Sequence, residues 1–419
     1  MPRLKLPEAL RALRSYNFRL YFSGQAISLI GTWMQRIAVS WLVYDITHSA
    51  FMLGLVVFAG QIPILLLSPY AGAYVDRHSR YKTLLVTQIA SMVQAGLLAL
   101  VVWTGHYDIT TIIVLSVMLG IINAFDTPSR QSLMILLVDE KQNLPNAIAL
   151  NSTMVTLARL MGPAVAGILL SSYGEDVCFF INFLSFLAVI VSLVFMRIHL
   201  PARPANKEPI WDGLKAGFYY VKGNRGIRSV VMLTAFMSLL VMPYTTLLPI
   251  YAASVFKGDV TTFSWLNSIS GLGALLGAIF IATRKTGINM LRTIAYSALL
   301  FSSGLILFSY TKNFPLALLF IMAAEGGMLA EIASSNTYIQ THVDEHMRGR
   351  VVSFYVMAFL GMQPIGGLLI GSLAHLTSAP LTVLTEGLCG LLAVLSFLPS
   401  FKRVRRDNLK SDGTALGAA

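Results

Sequence analysis

The sequence predicts an all-α membrane protein with twelve transmembrane helices arranged in two pseudo-symmetric six-helix bundles. The composition, the length of the apolar segments and a repeat between the two halves of the chain support this fold class. Hydrophobic residues make up 56% of the 419 residues and charged residues 12%, whereas a soluble domain carries roughly 25% charge. So few charges cannot cover a water-facing surface of this size, which excludes an ordinary soluble enzyme and a disordered protein.

Twelve apolar segments are long enough to cross the hydrocarbon core of a bilayer, which takes about 20 helical residues. We number them spans 1 to 12 in chain order. They cover residues 18–45, 51–74, 83–104, 110–137, 147–172, 178–196, 228–251, 262–283, 291–311, 315–341, 351–376 and 380–400.

Short motifs recur between the first six and the last six spans at an offset of 205 residues. Val138-Asp139-Glu140 after span 4 corresponds to Val343-Asp344-Glu345 after span 10, and Asp126 corresponds to Glu331 within those spans. The repeat predicts a duplicated unit, and two such units enclose a cavity near the bilayer midplane that opens to each side in turn. The predicted parts are an N-terminal bundle at 1–196, a cytoplasmic linker at 197–227, a C-terminal bundle at 228–400 and a cytoplasmic tail at 401–419.

Lysine and arginine lie almost entirely on one side of the predicted membrane. Of the 31 basic residues, 26 fall in segments on the side of the N-terminus, two fall in loops on the other side and three fall within spans. Because loops rich in lysine and arginine stay in the cytoplasm, both termini are predicted to be cytoplasmic. The net charge of +12 follows this topology and does not indicate a nucleic-acid partner.

Other common site chemistries have no sequence signature. Cys178 and Cys389 lie in apolar runs, and no spaced Cys/His cluster predicts a metal site. The sequence has no nucleotide-binding loop and no nucleophile, base and acid set, so we expect neither enzyme activity nor a cofactor. We expect the energy for transport to come from an ion gradient, and we predict the proton gradient.

The loop after span 2 reads Gly-Ala-Tyr-Val-Asp-Arg-His-Ser-Arg-Tyr-Lys over residues 72–82. It resembles the signature loop of the major facilitator superfamily, with Gly72, Asp76, Arg77 and Arg80 at matching positions. The resemblance implies the major facilitator fold and a loop that latches against the start of the eleventh helix. Glycine at this place is expected to let two helices approach closely. The alternative is a basic loop that only follows the charge rule.

Span 5 contains Arg159, Gly162, Pro163 and Gly167, which resemble the exporter-associated helix motif of the same superfamily. The resemblance implies export, and the alternative is ordinary packing of small residues. The segments at 14–19 and 126–131 further resemble the bacterial branch of enterobactin-type siderophore exporters and macrolide efflux pumps. That branch implies efflux of a small amphiphilic molecule across the bacterial inner membrane.

Ionisable residues inside spans are candidates for function, because each costs about 2.5–3.5 kcal/mol at the helix centre. Asp126, Glu325 and Glu331 are the predicted proton-coupling carboxyls. Asp126 and Arg130 are four residues apart and share a helix face, so a structural ion pair is the alternative for Asp126. Glu386 lies near the outer end of span 12, and we expect it to be exposed to water.

Span 1 carries a polar stripe that is predicted to line the substrate cavity. Its members are Gln25, Trp33, Gln35 and Arg36, and Arg130 of span 4 is expected to join them. Arg36 could attract an anionic or oxygen-rich ligand, or it could neutralise a carboxylate of the opposite half. Tyr244 of span 7 is a weaker cavity candidate.

These observations predict a proton-coupled secondary active exporter, working as a monomer with the lipid bilayer and a small-molecule substrate as its partners. Two alternatives remain open at this point. One is an importer or facilitator of a nutrient or lysophospholipid on the same fold, and the other is a membrane receptor or scaffold that transports nothing.

Overall fold

The computed structural model describes residues 8–105, 107–197, 210–284 and 290–416, and these ranges contain helices and no strand. Within them, twelve helical segments are long and apolar enough to span a membrane, as the sequence predicts. With the same numbering, spans 1 to 12 are Tyr16–Thr47, Ala50–Arg77, Arg80–Trp103, Ile109–Leu137, Leu144–Tyr173, Glu175–Val194, Arg225–Val255, Val260–Ala282, Met290–Tyr310, Phe314–His342, Glu345–Leu376 and Ala379–Phe401.

Several spans begin at a side chain that caps the free amides of the first turn. Ser49, Ser79, Asn224 and Asn313 each accept a hydrogen bond from the amide three residues later. Asp108 does the same before span 4, where its carboxylate accepts from the Thr111 amide at 2.8 Å. The hydroxyl and amide of Thr111 lower the pKa of Asp108 below its ordinary value, since both donate to the carboxylate. Short polar caps thus fix where the apolar helices start.

Span 7 changes helix type along its length. It is α-helical over Arg225–Leu240, continues as a 3-10 helix over Met242–Leu247 and ends as a π-helix over Tyr251–Val255. Pro243 and Pro249 fall in the irregular part, and each lacks the amide that would donate to the preceding turn. The prolines therefore account for a break near the middle of this span.

The chain forms two compact units. The first comprises Met1–Lys207 with Leu248–Gly271, and the second comprises Glu208–Leu247 with Leu272–Ala419. Spans 1 to 6 thus belong to the first unit together with the end of span 7 and the first half of span 8. The bundle boundaries at 1–196 and 228–400 stay a prediction.

The predicted linker and tail lie partly outside the described residues. The described part of the linker at 197–227 contains a helix over Ile210–Gly223. The last helix runs over Ala379–Leu416, so its backbone continues from span 12 into the predicted tail at 401–419.

The repeat at an offset of 205 residues is visible in the backbone. Val138 closes span 4 in an extended conformation with φ −97° and ψ 118°, and Val343 closes span 10 with φ −98° and ψ 136°. A short 3-10 helix then follows in both places, at Lys141–Asn143 just before span 5 and at Glu345–Met347 as the first turn of span 11. The same motif therefore adopts the same backbone conformation at the end of a span in each unit.

Small residues bring neighbouring spans into backbone contact inside each unit. A Cβ atom added at Gly24 in span 1 would lie 2.8 Å from the Ala188 carbonyl oxygen in span 6. In the second unit, a Cβ atom added at Gly327 in span 10 would lie 2.7 Å from the Phe301 amide in span 9. At these two glycines no larger residue fits without moving a helix.

Candidate functional site

Asp126 in span 4 is a fully satisfied buried carboxylate. Arg130, one turn later, donates to Oδ2. Thr87 Oγ1 and Gln88 Nε2 of span 3 donate to Oδ1 at 2.9 and 2.6 Å. The structural ion pair that the spacing allows is therefore present, and it is reinforced by two residues that the sequence pattern did not indicate.

Glu331 in span 10 occupies the corresponding place in the second unit, but its surroundings differ. Its Oε1 atom accepts hydrogen bonds from Ser335 Oγ at 2.9 Å and Thr234 Oγ1 at 3.2 Å. Its Oε2 atom is buried and has no hydrogen-bond partner among the described residues. At the offset of 205 residues, Ser335 stands where Arg130 stands in span 4. Glu331 therefore has hydroxyl partners in the place of an arginine.

Glu325, six residues before Glu331 in span 10, contacts the irregular part of span 7. The Tyr244 hydroxyl donates to Glu325 Oε1 at 2.6 Å. Both side chains are completely buried, and the Tyr244 ring also packs on Phe301 at 6.1 Å between centroids. Tyr244, which the sequence indicated only weakly, is thus a direct partner of a predicted proton-coupling carboxyl.

Glu386 is buried, so the expectation that it is exposed to water is wrong. Its side chain is 1% exposed, and neither carboxylate oxygen has a hydrogen-bond partner among the described residues. The neighbouring Gly387 explains the burial, since an added Cβ atom there would lie 3.0 Å from the Ser302 carbonyl oxygen of span 9. This glycine lets span 12 approach span 9 closely next to the buried Glu386.

The residues of the predicted polar stripe of span 1 do not all face the same surroundings. Gln35 accepts a hydrogen bond from Asn182 at 2.6 Å and donates to Gln94 at 3.0 Å, in a buried network that joins spans 1, 6 and 3. Gln25 is also buried, and its Oε1 atom has no partner among the described residues. Arg36, by contrast, is exposed. Adjacent positions on a helix point about 100° apart, so Gln35 faces the interior of the first unit while Arg36 does not.

Trp33 lies between two arginines of the first unit. The guanidinium carbon of Arg36 is 4.6 Å from the centroid of the Trp33 ring, and that of Arg159 in span 5 is 5.9 Å from it. Both distances are within the range of cation–π contacts. Spans 1 and 5 meet here at Gly162, where an added Cβ atom would overlap Trp33 Cβ and lie 3.1 Å from the Ile30 carbonyl oxygen.

The exporter-type residues of span 5 form helix contacts on more than one side. Gly162 and Pro163 are both buried, and Gly162 lies against span 1. A Cβ atom added at Gly167 would lie 2.6 Å from Ser264 Cβ in span 8. The motif therefore creates close contacts within the first unit. Such contacts agree with the packing alternative and with a helix that seals against leakage.

The predicted gating loop is short. Span 2 ends at Arg77 and span 3 begins at Arg80, so only two residues separate them. Asp76 and Arg80 form an ion pair at 3.7 Å, and Arg77 is exposed. A Cβ atom added at Gly72 would meet no atom within 4 Å. The close helix approach that we expected at Gly72 is thus absent among the described residues: the side of span 2 that carries Gly72 is open, whereas its neighbours Ala71 and Val75 are buried.

Twelve apolar spans with buried carboxyls within them are typical of a membrane transporter, and comparisons with known proteins agree. The chain belongs to the family described as "Transmembrane secretion effector", which matches residues 8–414 and is part of the major facilitator superfamily. It is therefore a multi-pass membrane protein of an efflux-type transporter family and not an enzyme.

The chain is similar to several curated efflux and siderophore transporters. It is 26% identical to the staphyloferrin A transporter of Staphylococcus aureus, over 90% of this chain and 95% of that protein. It is 24% identical to the multidrug efflux pump Tap of Mycolicibacterium fortuitum, over 89% and 93%. It is 23% identical to macrolide efflux protein A of Streptococcus pyogenes, over 63% and 66%.

Solved structures show the same fold at lower sequence identity. The nucleoside transporter NupG matches with a TM-score of 0.69 and 14% identity, over 92% of this chain and 98% of that one. A bacterial homologue of the iron transporter ferroportin in its inward-facing state matches with a TM-score of 0.69 and 17% identity, over 93% and 99%. At these identities the likeness concerns the fold alone.

Proposed function

We propose that this chain is a proton-coupled secondary active exporter of a small amphiphilic molecule in the bacterial inner membrane. It works by alternating access and has both termini in the cytoplasm. One observation carries the coupling: Glu331 is buried without a counter-charge among the described residues, whereas its equivalent Asp126 is paired with Arg130. Family membership and the efflux relatives support transport, and the exporter-type residues of span 5 support the outward direction.

Glu331 is the proposed proton-exchanging residue. An unpaired charge buried in an apolar interior costs several kcal/mol, so a buried carboxyl without a cation takes up a proton instead. The unpartnered Oε2 atom is the site where that proton binds. On deprotonation, Thr234 and Ser335 keep their hydrogen bonds to Oε1 and stabilise the charge only in part. Glu331 can therefore gain and lose a proton without breaking an ion pair.

Glu325 is the second proposed member of the proton pathway. Its hydrogen bond from Tyr244 links the protonation state of span 10 to the irregular part of span 7. A change in charge on Glu325 alters the strength of that hydrogen bond, because bonds to a carboxylate are stronger than bonds to a neutral acid. Asp126 stays a candidate for proton exchange, but its carboxylate already has Arg130 and two neutral donors.

Proton release to the cytoplasm accompanies substrate loading in this scheme, and protonation from outside resets the cavity. Substrate contacts are assigned to the exposed side of span 1, where Arg36 and Trp33 lie, and Arg130 stays a predicted contact. Gln25 and Gln35 are left out of the proposed contacts, since both side chains are buried inside the first unit.

The test uses everted membrane vesicles that contain the chain, with staphyloferrin A and erythromycin as the substrates offered. We expect uptake that depends on the pH gradient and stops when nigericin collapses it. Glu331→Gln should abolish the gradient dependence, and Lys257→Gln, in a loop, is the control. Equal flux with and without the pH gradient would remove the coupling. Uptake only in right-side-out vesicles would instead assign import.

A further inference from the structure

We infer that the helix Ile210–Gly223 of the linker binds anionic phospholipid headgroups through an exposed face of lysines and aromatic rings. The face consists of Lys215, Phe218, Tyr219 and Lys222, and we call it the linker face. Such binding is separate from substrate transport, since it needs neither an export direction nor a proton.

The other side of this helix is docked on the second unit. The Tyr220 hydroxyl donates to Asp344 Oδ2 at 3.0 Å and accepts from the Asp344 amide at 3.2 Å. A Cβ atom added at Gly217 would lie 3.0 Å from the Phe354 ring, and Val221 is buried. Gly217, Tyr220 and Val221 recur at the spacing of one helix face. That face is therefore already occupied by protein.

The linker face points away from these contacts and is both aromatic and basic. Phe218 and Tyr219 are 52% and 68% exposed, and Lys215 and Lys222 are exposed at either end of them. The four positions follow the pattern i, i+3, i+4, i+7, which places them along one side of a helix. Aromatic rings beside lysines are typical of a helix that lies in the interface of a membrane. The linker face therefore has the composition of a membrane-surface contact.

The linker helix also lies at a suitable depth. Span 7 begins at Arg225, two residues after the helix ends at Gly223, and span 11 begins at Glu345. Asp344, which Tyr220 contacts, directly precedes span 11. Apolar spans end where the hydrocarbon core gives way to the headgroup layer. The docked helix is therefore held at the level of the lipid headgroups.

The cations of this region have no acidic partner in the part of the chain that the structure describes. Lys215, Lys222, Arg225 and Arg228 are all exposed, and the ion pairs between described residues involve none of them. Arg228 instead donates to the Lys222 carbonyl oxygen at 3.3 Å, which keeps it beside the end of the linker helix. Each such cation strengthens the attraction to an anionic bilayer surface. The charge therefore favours anionic over zwitterionic headgroups.

The first unit contains a corresponding helix with a different charge pattern. At the offset of 205 residues, Ser15 corresponds to Tyr220 and Asp139 to Asp344. The Asp139 amide donates to Ser15 Oγ at 3.1 Å, as the Asp344 amide donates to Tyr220. Both arginines of the short helix before span 1, however, are paired with its own Glu8. The duplicated helix is thus neutralised by protein in the first unit, whereas the described cations of the linker helix are left for another partner.

The test measures thermal unfolding of the full-length chain in nanodiscs of phosphatidylcholine with increasing shares of phosphatidylglycerol. A lipid that binds the folded chain raises its unfolding temperature, so we expect a rise that reaches a plateau. The share of phosphatidylglycerol at half of the rise measures the affinity. The absence of a rise would overturn the proposal. Inorganic phosphate in discs of pure phosphatidylcholine should not reproduce the rise, and if it does, the ligand is a soluble anion and the assigned membrane contact is wrong.

Variants then place the effect on the linker face. Lys215→Gln combined with Lys222→Gln should raise the share of phosphatidylglycerol at half effect at least twofold, because two of the cations beside the rings are lost. The matched control is Lys257→Gln combined with Lys312→Gln, which removes the same charge from exposed positions in two loops and should leave that share unchanged. An unchanged share in the linker variant, or an equal change in the control, would overturn the proposal. The unfolding temperature in pure phosphatidylcholine shows that each variant is folded.

Fluorescence distinguishes a lipid contact from a soluble protein partner. The emission added by Tyr219→Trp should be quenched by phosphatidylglycerol brominated near the headgroup end of its chains more strongly than by iodide in the water. Quenching by iodide alone would place the ring in water. The linker face would then suit a soluble partner, and the proposed lipid contact would be wrong. Because no transport is measured, a failure of proton coupling in vesicles leaves this result standing.

Discussion

Ser335 takes the place of Arg130: each follows a buried carboxyl by four residues, and the two positions are 205 residues apart. The duplicated element thus holds an ion pair in the first unit and a carboxyl with hydroxyl donors in the second. One difference in a repeated motif therefore leaves an ion pair in the first unit and a carboxyl without a counter-charge among the described residues in the second.

Ser335→Arg should convert the second site into a copy of the first. An arginine one turn after Glu331 would pair with it and hold it ionised, so we expect gradient-driven transport to fall at least tenfold. Transport in vesicles is the measurement, with the unfolding temperature as the check on folding. Ser335→Ala removes a hydroxyl donor without adding a charge, and it should retain most of the transport. Full activity of Ser335→Arg would exclude Glu331 from proton exchange.

Arg130→Gln should destabilise the first unit. The change leaves Asp126 buried without its counter-charge, and breaking one partner of a buried pair costs about 3–5 kcal/mol. Thermal unfolding in detergent measures the loss. The double variant Asp126→Asn with Arg130→Gln should recover part of it, because no charge is then left unpaired. If the single and double variants unfold at the same temperature, the unpaired charge of Asp126 is not the cause of the destabilisation.

Glu386→Leu should stabilise the chain. The carboxyl is buried with neither oxygen hydrogen-bonded to a described residue, and an unsatisfied polar group costs about 1–3 kcal/mol. We therefore expect a higher unfolding temperature and unchanged coupled transport. Loss of transport in a more stable variant would assign Glu386 a place in the proton pathway, because it too is a buried carboxyl without a counter-charge among the described residues.

Gly162→Ala should damage the contact between spans 1 and 5. The added methyl group overlaps Trp33 Cβ, and forcing an extra carbon into a packed interface costs about 1–3 kcal/mol. Thermal unfolding of the chain in detergent should show this loss as a lower unfolding temperature. Gly72→Ala is the matched control in span 2, since its added methyl group meets open space. Equal stability of the two variants would mean that span 1 can move away from Gly162 at Trp33 without a measurable loss of stability.

The sequence predicts where the spans lie, but it does not predict which side of each span faces the interior of its unit. Apolar length and the distribution of basic residues predict twelve spans because lipid imposes both, and the Asp126–Arg130 spacing predicts an ion pair because one helix turn brings the two side chains together. Gln35 and Arg36 are neighbours in sequence, yet one joins an internal network and the other is exposed. Which of them faces inward depends on Gln94 and Asn182 in other spans.

A local sequence pattern also does not predict contacts between residues that are far apart in the chain. Tyr244 meets Glu325 across 81 residues because span 7 departs from α-helical geometry near Pro243. Glu386 is buried, and Gly387 beside it allows span 12 to pack closely against span 9. In both cases a local feature of one helix, a helix break in span 7 or a glycine in span 12, determines the surroundings of a buried carboxyl.

Only His78 and Ser79 separate span 2 from span 3, and Asp76 is paired with Arg80 across this gap. Because the connection is only two residues long, we expect a displacement at the end of one helix to be passed on to the start of the other. Lengthening the junction by a few glycines would uncouple their movements while leaving each helix intact. The brevity of this connection is therefore a mechanical property of the protein.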